Sequence, residues 1–471
     1  MNSSLRNFIF RIALIYTAVM VLVSHLGAEP LPLSIDDAVK IALAGNHDYR
    51  IAELQAREAE ERVNGVWGQL MPVLESEASL LRQYAENGTM SLSDGQADIK
   101  FIQMKFGINP GVFYNSLQAS KKSWSLSKEE LRRIKSDVEY NVIKSYFDLL
   151  LAGEIIGLRE DSMQVLRANL KDVKNMYNTG TVPKFEMLQA QVQLMNQEPE
   201  LFSAESGSRV ALEMFNHNLG SARNSYTVKK EVLKGEVKPV ICSDTDRKIE
   251  MLVSVALKNR PEVIQIKKKI EIAEHSEEVY SSYYLWPSFS VGGYYGMTKL
   301  APNEIDATIS TPLGPATPDF SGISGDDAWQ NTWQVRVAAT YRWGALFPAE
   351  SVRAREREER LKAKEGEEEF RRLKSAISVS INSSYSKLLT ACMTIKSQKE
   401  NVKTAEEGLR IARESYRAGV IKNSELLASE LALTSAKTSY INALYSYYVA
   451  MAELKKETGI EDENIILEDC R

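Results

Sequence analysis

Apolar residues recur along this chain in two registers, one helical and one alternating, and the two registers occur twice in the same order. After Pro110-Gly111 a long helical pattern carries Val142, Leu149, Ile156, Met163, Leu170 and Tyr177 at a strict spacing of seven. After Pro348 a second one carries Ile381, Leu388, Ile395, Val402, Leu409 and Tyr416, again every seven residues. A heptad repeat marks a seam against a partner helix with left-handed winding. Each series closes on a Tyr that opens a twin motif, YNTGTVPKFEMLQA from Tyr177 to Ala190 and YRAGVIKNSELLAS from Tyr416 to Ser429. Gly180 and Gly419 predict helix stops, because glycine takes a positive φ without penalty. Pro183 reinforces the first stop. Glu186 and Glu425 then fall in the first turns of new helices, where a carboxylate suits the positive end of the helix dipole. Each motif therefore reads as a helix-turn-helix tip.

Ahead of each long helix the period changes to two. Val73 to Arg82 sets Glu75, Glu77 and Ser79 against Leu74, Ala78 and Leu80, and Ile99 to Ile108 alternates again. Residues 84–98 read as a polar loop, giving a hairpin over 73–108. In the second half Phe289 to Met297 alternates, residues 298–330 read as a long loop, and Trp333 to Trp343 alternates most cleanly, giving a hairpin over 288–343. Short helices precede both hairpins. One starts at Ser34, a cap with Asp37 three residues on. They break at Gly45-Asn46 and at Asn259-Arg260-Pro261. The helices after the tips run over 184–219, with a kink expected at Pro199, and over 424–458. The shared phase, tips, helix lengths and strand order together predict internal duplication. The first repeat covers 29–227, with its long helix at 112–177. A connector covers 228–247. The second repeat covers 248–460, with its long helix at 348–417, and a tail covers 461–471.

The N-terminus changes the compartment. The apolar run Ile12 to Val23 is too short to span a bilayer, follows Arg6 and Arg11, and is followed by Gly27-Ala28. This reads as a signal peptide over residues 1–28 without a lipid-attachment Cys. Removing 1–28 takes away two positive charges and no acids, so the net charge moves from −5 to −7, which argues against nucleic acid as a partner. Cysteines number three, Cys242, Cys392 and Cys470, so in an exported protein one thiol stays free or pairs between chains. Cys392 reads as a small buried hydrophobe on a helix. No nucleotide, metal-ligand or hydrolase motif is present, and the reading is of a non-enzyme without catalytic residues, metal or cofactor.

Pattern and length together set the architecture. About 65 helical residues span about 100 Å, more than a compact domain needs. The four strands have the length of membrane-crossing barrel strands, their apolar faces end in aromatics, and four cannot close a barrel alone. Three chains would supply twelve strands around a watery interior. Glu75, Glu77, Gln103, Lys105, Gln334, Arg336 and Arg342 would face that interior.

The stretches LSIDDAVKIALAGN, ALKNRPEV, the Pro-bounded strand pairs, both Tyr-x-x-Gly tips and YYVAMAELKKETG, in this order, resemble the TolC-type outer-membrane factor family. The resemblance implies an α+β membrane protein: a homotrimer with a twelve-stranded β-barrel, four strands per chain, continued by a long α-helical barrel. It implies a passive outer-membrane exit duct of a tripartite efflux pump or type I secretion system. Its partners would be outer-membrane lipid, a periplasmic adaptor and an inner-membrane transporter of RND, ABC or MFS type. The tips would form the periplasmic entrance, with Glu186, Glu425, Tyr177, Tyr416 and Ile421 at the gate and Gly180, Thr181, Val182, Gly419 and Val420 in the turns that meet the adaptor. Ile421 and Ala428 stand where the family pattern has the residues of an Arg–Asp lock, so packing of Val420, Ile421 and Val182 is the alternative closure. A different class of reading is an exported coiled-coil scaffold or adhesin, which has no use for two matched amphipathic hairpins.

Overall fold

The computed structural model describes residues 31–87, 90–221, 226–229, 245–300, 304–307, 309–311, 314–316, 328–343 and 351–460. The signal-peptide reading, Pro348, Cys242, Cys470, most of the connector and the tail fall outside the described residues. The chain forms two units. One comprises Met1–Leu54, Glu130–Val263 and Arg372–Arg471, the other Gln55–Glu129 and Ile264–Arg371, so each unit draws on both sequence repeats.

The first unit is built mainly on helices. It contains β1 (Leu31–Leu33), α1 (Ile35–Gly45), the start of α2 (His47–Gly68), most of α3 (Pro110–Asn178), α4 (Lys184–Asn218), β4 (Tyr226–Val228) and α5 (Thr245–Asn259). It also holds the later part of α7 (Ser351–Arg417) and α8 (Asn423–Thr458). Ser34 caps α1, its Oγ accepting from the Asp37 amide at 3.3 Å and donating to Asp37 Oδ2 at 2.6 Å. The heptad positions are the seam: Val142, Leu149 and Met163 on α3 and Ile381, Leu388, Ile395 and Leu409 on α7 are all buried. Helix α4 continues through Pro199, so the proline removes one backbone bond without ending the helix. Cys392 is half-buried rather than buried.

Two glycine contacts repeat. Gly220, φ 72°, follows α4 and lies against the Gly45 backbone at the α1–α2 break. Gly459, φ 66°, follows α8 and lies against Asn259 at the α5–α6 break, where α6 is Pro261–Leu285. A side chain at Gly220 would meet backbone atoms, so this is one place where glycine is required by both φ and space. Above the first break, β1 and β4 pair in parallel, Leu31 with Tyr226 through Leu33 with Val228. The buried Asn216 amide holds Tyr226, donating to its carbonyl at 3.0 Å and accepting from its amide at 3.1 Å.

The second unit centres on a sheet in the order β2-β3-β5-β9, with all neighbours antiparallel: β2 (Val73–Asn87), β3 (Met90–Ile108), β5 (Ser288–Leu300) and β9 (Gln330–Thr340). The expected loop at 84–98 is strand instead, paired from Arg82 with Gly95 to Asn87 with Met90. Strand pairing is a backbone property, so a polar composition did not end it, and Asn87-Gly88 is the strong short-hairpin signal in the sequence. The expected loop at 298–330 also contains strand: β6 (Glu304–Ala307) pairs with β3, and β7 (Ile309–Thr311) pairs with β8 (Gly314–Ala316). Asn109 fastens the sheet to the helices. Its amide donates to the Trp286 carbonyl at 3.0 Å and the Ser282 carbonyl at 3.2 Å, and its Oδ1 accepts from the Val112 amide at 3.1 Å at the start of α3.

Candidate functional site

Each tip forms by one rule of helix termination. At the first, the Gly180 amide donates to the Tyr177 carbonyl at 2.9 Å and the Thr181 amide to the Met176 carbonyl at 2.8 Å. At the second, the Gly419 amide donates to the Tyr416 carbonyl at 3.0 Å and the Val420 amide to the Ser415 carbonyl at 2.9 Å. These are paired Schellman closures, with Gly180 at φ 77° and Gly419 at φ 71°. The space around both glycines is open, unlike that around Gly220. Gly180→Ala and Gly419→Ala are therefore expected to destabilise by only about 1 kcal/mol, the price of a positive φ without a clash. Thermal unfolding followed by circular dichroism checks this, and a loss as large as that of Gly220→Ala would contradict it.

The twin tips are alike in backbone and different in surroundings. Tyr416 is half-buried and its hydroxyl donates to Met176 Sδ at 3.6 Å, whereas Tyr177 is exposed. Burial pushes the Tyr416 phenol above its ordinary range, and the negative charges of Glu186 and Asp172 add to the effect. Glu186, half-buried, thus lies within electrostatic reach of the opposite tip, while Glu425 is exposed. Val182 and Ile421 are half-buried, and Val420 is 76% exposed, so the apolar closure read from the sequence is not made by Val420 within one chain. Thr181 is exposed. Sequence reading missed the polar tie between the two hairpins: buried Asn423, the first residue of α8, and Asn169 of α3 exchange amide hydrogen bonds at 2.7 and 3.2 Å. Neither residue sits in a heptad position, and only the partner 254 residues away marks the pair.

The sheet separates its two faces by register. Trp333 pairs with Tyr295, Val335 with Gly293, and Gly293 with Met104, and Met104 pairs with Leu74, so apolar side chains line one face. That face is uncovered: Trp333 is 75% and Val337 76% exposed. On the other face Arg336 pairs with Gly292 and Gly292 with Lys105, while Gln334 pairs with Tyr294, Tyr294 with Gln103, and Gln103 with Glu75. Lys105 forms an ion pair with Glu75, and Lys100 Nζ lies 3.0 Å from Glu77 Oε2. With its amide turned so that the nitrogen faces the carboxylates, Gln103 donates to Glu77 at 3.2 Å and to Glu75 at 3.3 Å. A bulge in β3 between Lys100 and Ile102 keeps this separation clean. Phe101, which strict alternation with Gln103 and Lys105 would put on the polar face, is released from pairing there; its ring lies 6.2 Å from Tyr295, and the Ser76 hydroxyl donates to its carbonyl at 2.7 Å. Arg342 is a correction. Strand β9 ends at Thr340, and the Arg342 guanidinium sits 6.0 Å over the Tyr283 ring of α6, a cation–π contact rather than a strand position.

Among the described residues no helix is long and apolar enough to cross a membrane. The outer edges of β2 and β9 have no strand partner among the described residues.

Comparison with known proteins supplies the rest. Residues 252–459 match the family described as outer membrane efflux protein. No curated protein matches. Among solved structures the chain is similar to the CmeC outer membrane channel of Campylobacter jejuni, at 17% identity and a TM-score of 0.70 over 93% of this chain and 89% of that one. It is similar to the outer membrane protein VceC of Vibrio cholerae at 13% identity, with a TM-score of 0.67 over 90% and 96%. A third similar structure is CusC, described with transmembrane channel formation, at 16% identity and a TM-score of 0.70 over 90% and 92%. At these identities the structures speak to the fold, and the family match speaks for the second half of the chain. With both in hand, the resemblance to the TolC-type outer-membrane factor family read from the sequence holds.

Proposed function

We propose that this chain is one subunit of a trimeric, passive exit duct in the outer membrane. The observation that carries the reading is the sheet of β2, β3, β5 and β9, with one exposed apolar face, one polar face and two outer edges that have no strand partner among the described residues. Open edges are not viable in lipid, so the sheet must continue into other copies, and three copies supply twelve strands. The apolar face then meets lipid, and Glu75, Glu77, Gln103, Lys105, Gln334 and Arg336 line a watery interior. Both charge signs occur there, which suits a permissive conduit. The two tips form the periplasmic entrance, with Glu186, Glu425, Tyr177, Tyr416 and Ile421 around it. A periplasmic adaptor meets the turns at Gly180–Val182 and Gly419–Val420, and an inner-membrane transporter in a tripartite efflux pump or type I secretion system supplies energy and substrate choice. The exported chain loses residues 1–28.

The test is conductance in a planar bilayer together with outer-membrane fractionation. The expected result is heat-modifiable protein in the outer-membrane fraction and low basal conductance that rises several-fold in a Glu186→Ala/Glu425→Ala variant. A soluble periplasmic coiled coil without conductance would sink the duct. Unchanged conductance and ion selectivity in the variant would remove the two carboxylates from the gate.

A further inference from the structure

Just past the end of β9, the starts of α3 and α7 and the later part of α6 leave a cleft of about 650 Å³ between them. The cleft lies wholly within the second unit. Its volume falls among those of small-molecule sites, about 300–1,000 Å³. Two cations line it, Arg342 and Arg355, and both are exposed. Arg342 lies over the Tyr283 ring, and neither arginine has an ion-pair partner among the described residues. The carboxylate in the lining, Glu359, is already engaged: Lys362 Nζ lies 2.9 Å from Glu359 and 2.9 Å from Glu358. Other arginines of α7 are treated differently. Arg360, Arg371, Arg410 and Arg413 each have a carboxylate oxygen at 2.6 or 2.8 Å. The unpaired charge of Arg355 is therefore a local feature of the cleft.

The rest of the lining offers two further kinds of surface. Ser116 and Ser120 of α3 and Ser276 of α6 bring hydroxyl groups. Tyr280 and Tyr283 of α6 and Val352 of α7 bring rings and a branched apolar side chain. Guanidinium groups fit the oxygens of an oxyanion in pairs, and phosphate has more oxygens to satisfy than a carboxylate has. The serine hydroxyls are donors for the oxygens that two guanidiniums leave over. A bare phosphate would use neither the rings nor most of the volume, so the ligand carries an apolar body as well.

We propose that this cleft binds a phosphate ester with an apolar body. Arg342 and Arg355 hold the phosphate, Ser116, Ser120 and Ser276 donate to it, and the body lies along Tyr280, Tyr283 and Val352. The same chemistry has two sources. One is a phospholipid headgroup: Tyr341 and Trp343, on either side of Arg342, are exposed with ring centroids 5.2 Å apart, and such aromatics settle at a headgroup layer. The other is a soluble phosphate ester. The lining comes from one chain, so the site stands apart from the number of copies in the duct.

Isothermal titration calorimetry on the full chain in a neutral detergent tests this. The probes are phenyl phosphate, benzoate, and dihexanoyl phosphatidylglycerol below its micellar concentration. The expected result is saturable binding of a phosphate probe that weakens about tenfold in Arg342→Gln and about tenfold in Arg355→Gln, the effect of losing one charge-assisted contact. Arg357→Gln is the control. It removes a charge two residues further along, on the opposite side of α7, and should leave binding unchanged. Arg355 is exposed on a helix, so its variant folds, and circular dichroism verifies this. Should Arg342→Gln misfold, Arg355→Gln decides. Binding of phenyl phosphate supports the site and makes soluble esters its ligands. Binding of the lipid alone supports it and assigns the headgroup. Binding of neither phosphate probe overturns the proposal. Equal weakening by Arg357→Gln overturns it too, since the attraction would then be diffuse charge. Benzoate binding as tightly as phenyl phosphate would overturn the assignment to phosphate.

Discussion

Tyr146→Ala is expected to destabilise the first unit by about 3–5 kcal/mol, the range for removing a large aromatic from a closed core. Tyr146 is fully buried, with ring centroids 5.9 Å from Phe215 and 5.8 Å from Phe147, both edge-on. Its hydroxyl donates to the Leu33 carbonyl at 3.1 Å and approaches the Lys229 carbonyl at 3.4 Å, so one side chain reaches the ends of both strands of the β1–β4 pair. Burial pushes this phenol above its ordinary range. Tyr146→Phe keeps the ring and loses the donor, and should cost about 1 kcal/mol. The difference between the two variants separates packing from hydrogen bonding. Guanidinium unfolding in detergent measures it, and a Phe variant as damaged as the Ala variant would show that the hydroxyl, not the ring, holds this core.

The second large effect is expected at Arg260→Met. This side chain is 12% exposed, with Nη1 2.7 Å from Glu457 Oε2 and Nε 3.3 Å from Glu262 Oε2. Burial disfavours the cation, but the two carboxylates outweigh it and hold the guanidinium above its ordinary range. Glu457 is itself 18% exposed and also accepts from Ser380. Removing Arg260 leaves that carboxylate without its ion-pair partner, a change that costs about 3–5 kcal/mol when a buried pair is broken from one side. Glu457→Gln should cost less, and Arg260→Met/Glu457→Gln less than the two singles together, because the second change removes the stranded charge. Urea unfolding of the four proteins gives the cycle. Strict additivity would mean that the pair is not coupled.

What could be read without coordinates was whatever repeats along the chain. The heptad positions Val142 and Ile381 mark the buried seam because burial on a helix has a period. Gly180 and Gly419 mark turns because few residues take a positive φ. Tyr146 and Tyr385, both fully buried, stand 31 residues before their tip tyrosines, so comparing the repeats position by position marks them as a pair. What escaped was set by partners distant in sequence. The β3 bulge that re-aims Phe101 depends on the register against β5. The tie between Asn169 and Asn423 joins two polar residues that have no reason to be noticed singly. The extension of β2 and β3 through polar residues follows from backbone pairing, which composition does not report.

The glycine contacts at the ends of α4 and α8 also bear on motion. Gly220 against Gly45 and Gly459 against Asn259 join main chain to main chain, and such a joint has no rotamers through which to loosen. Helix α4 is therefore held at this end, whereas α8 is also tied at its other end, through Asn423 to Asn169. Helix α4 has 35 residues and α8 has 36. A helix of that length spans about 50 Å, so a tilt of about 5° at the joint carries its far end about 4–5 Å. The joint at Gly220 can stay intact while the far end of α4 travels by roughly the width of a side chain.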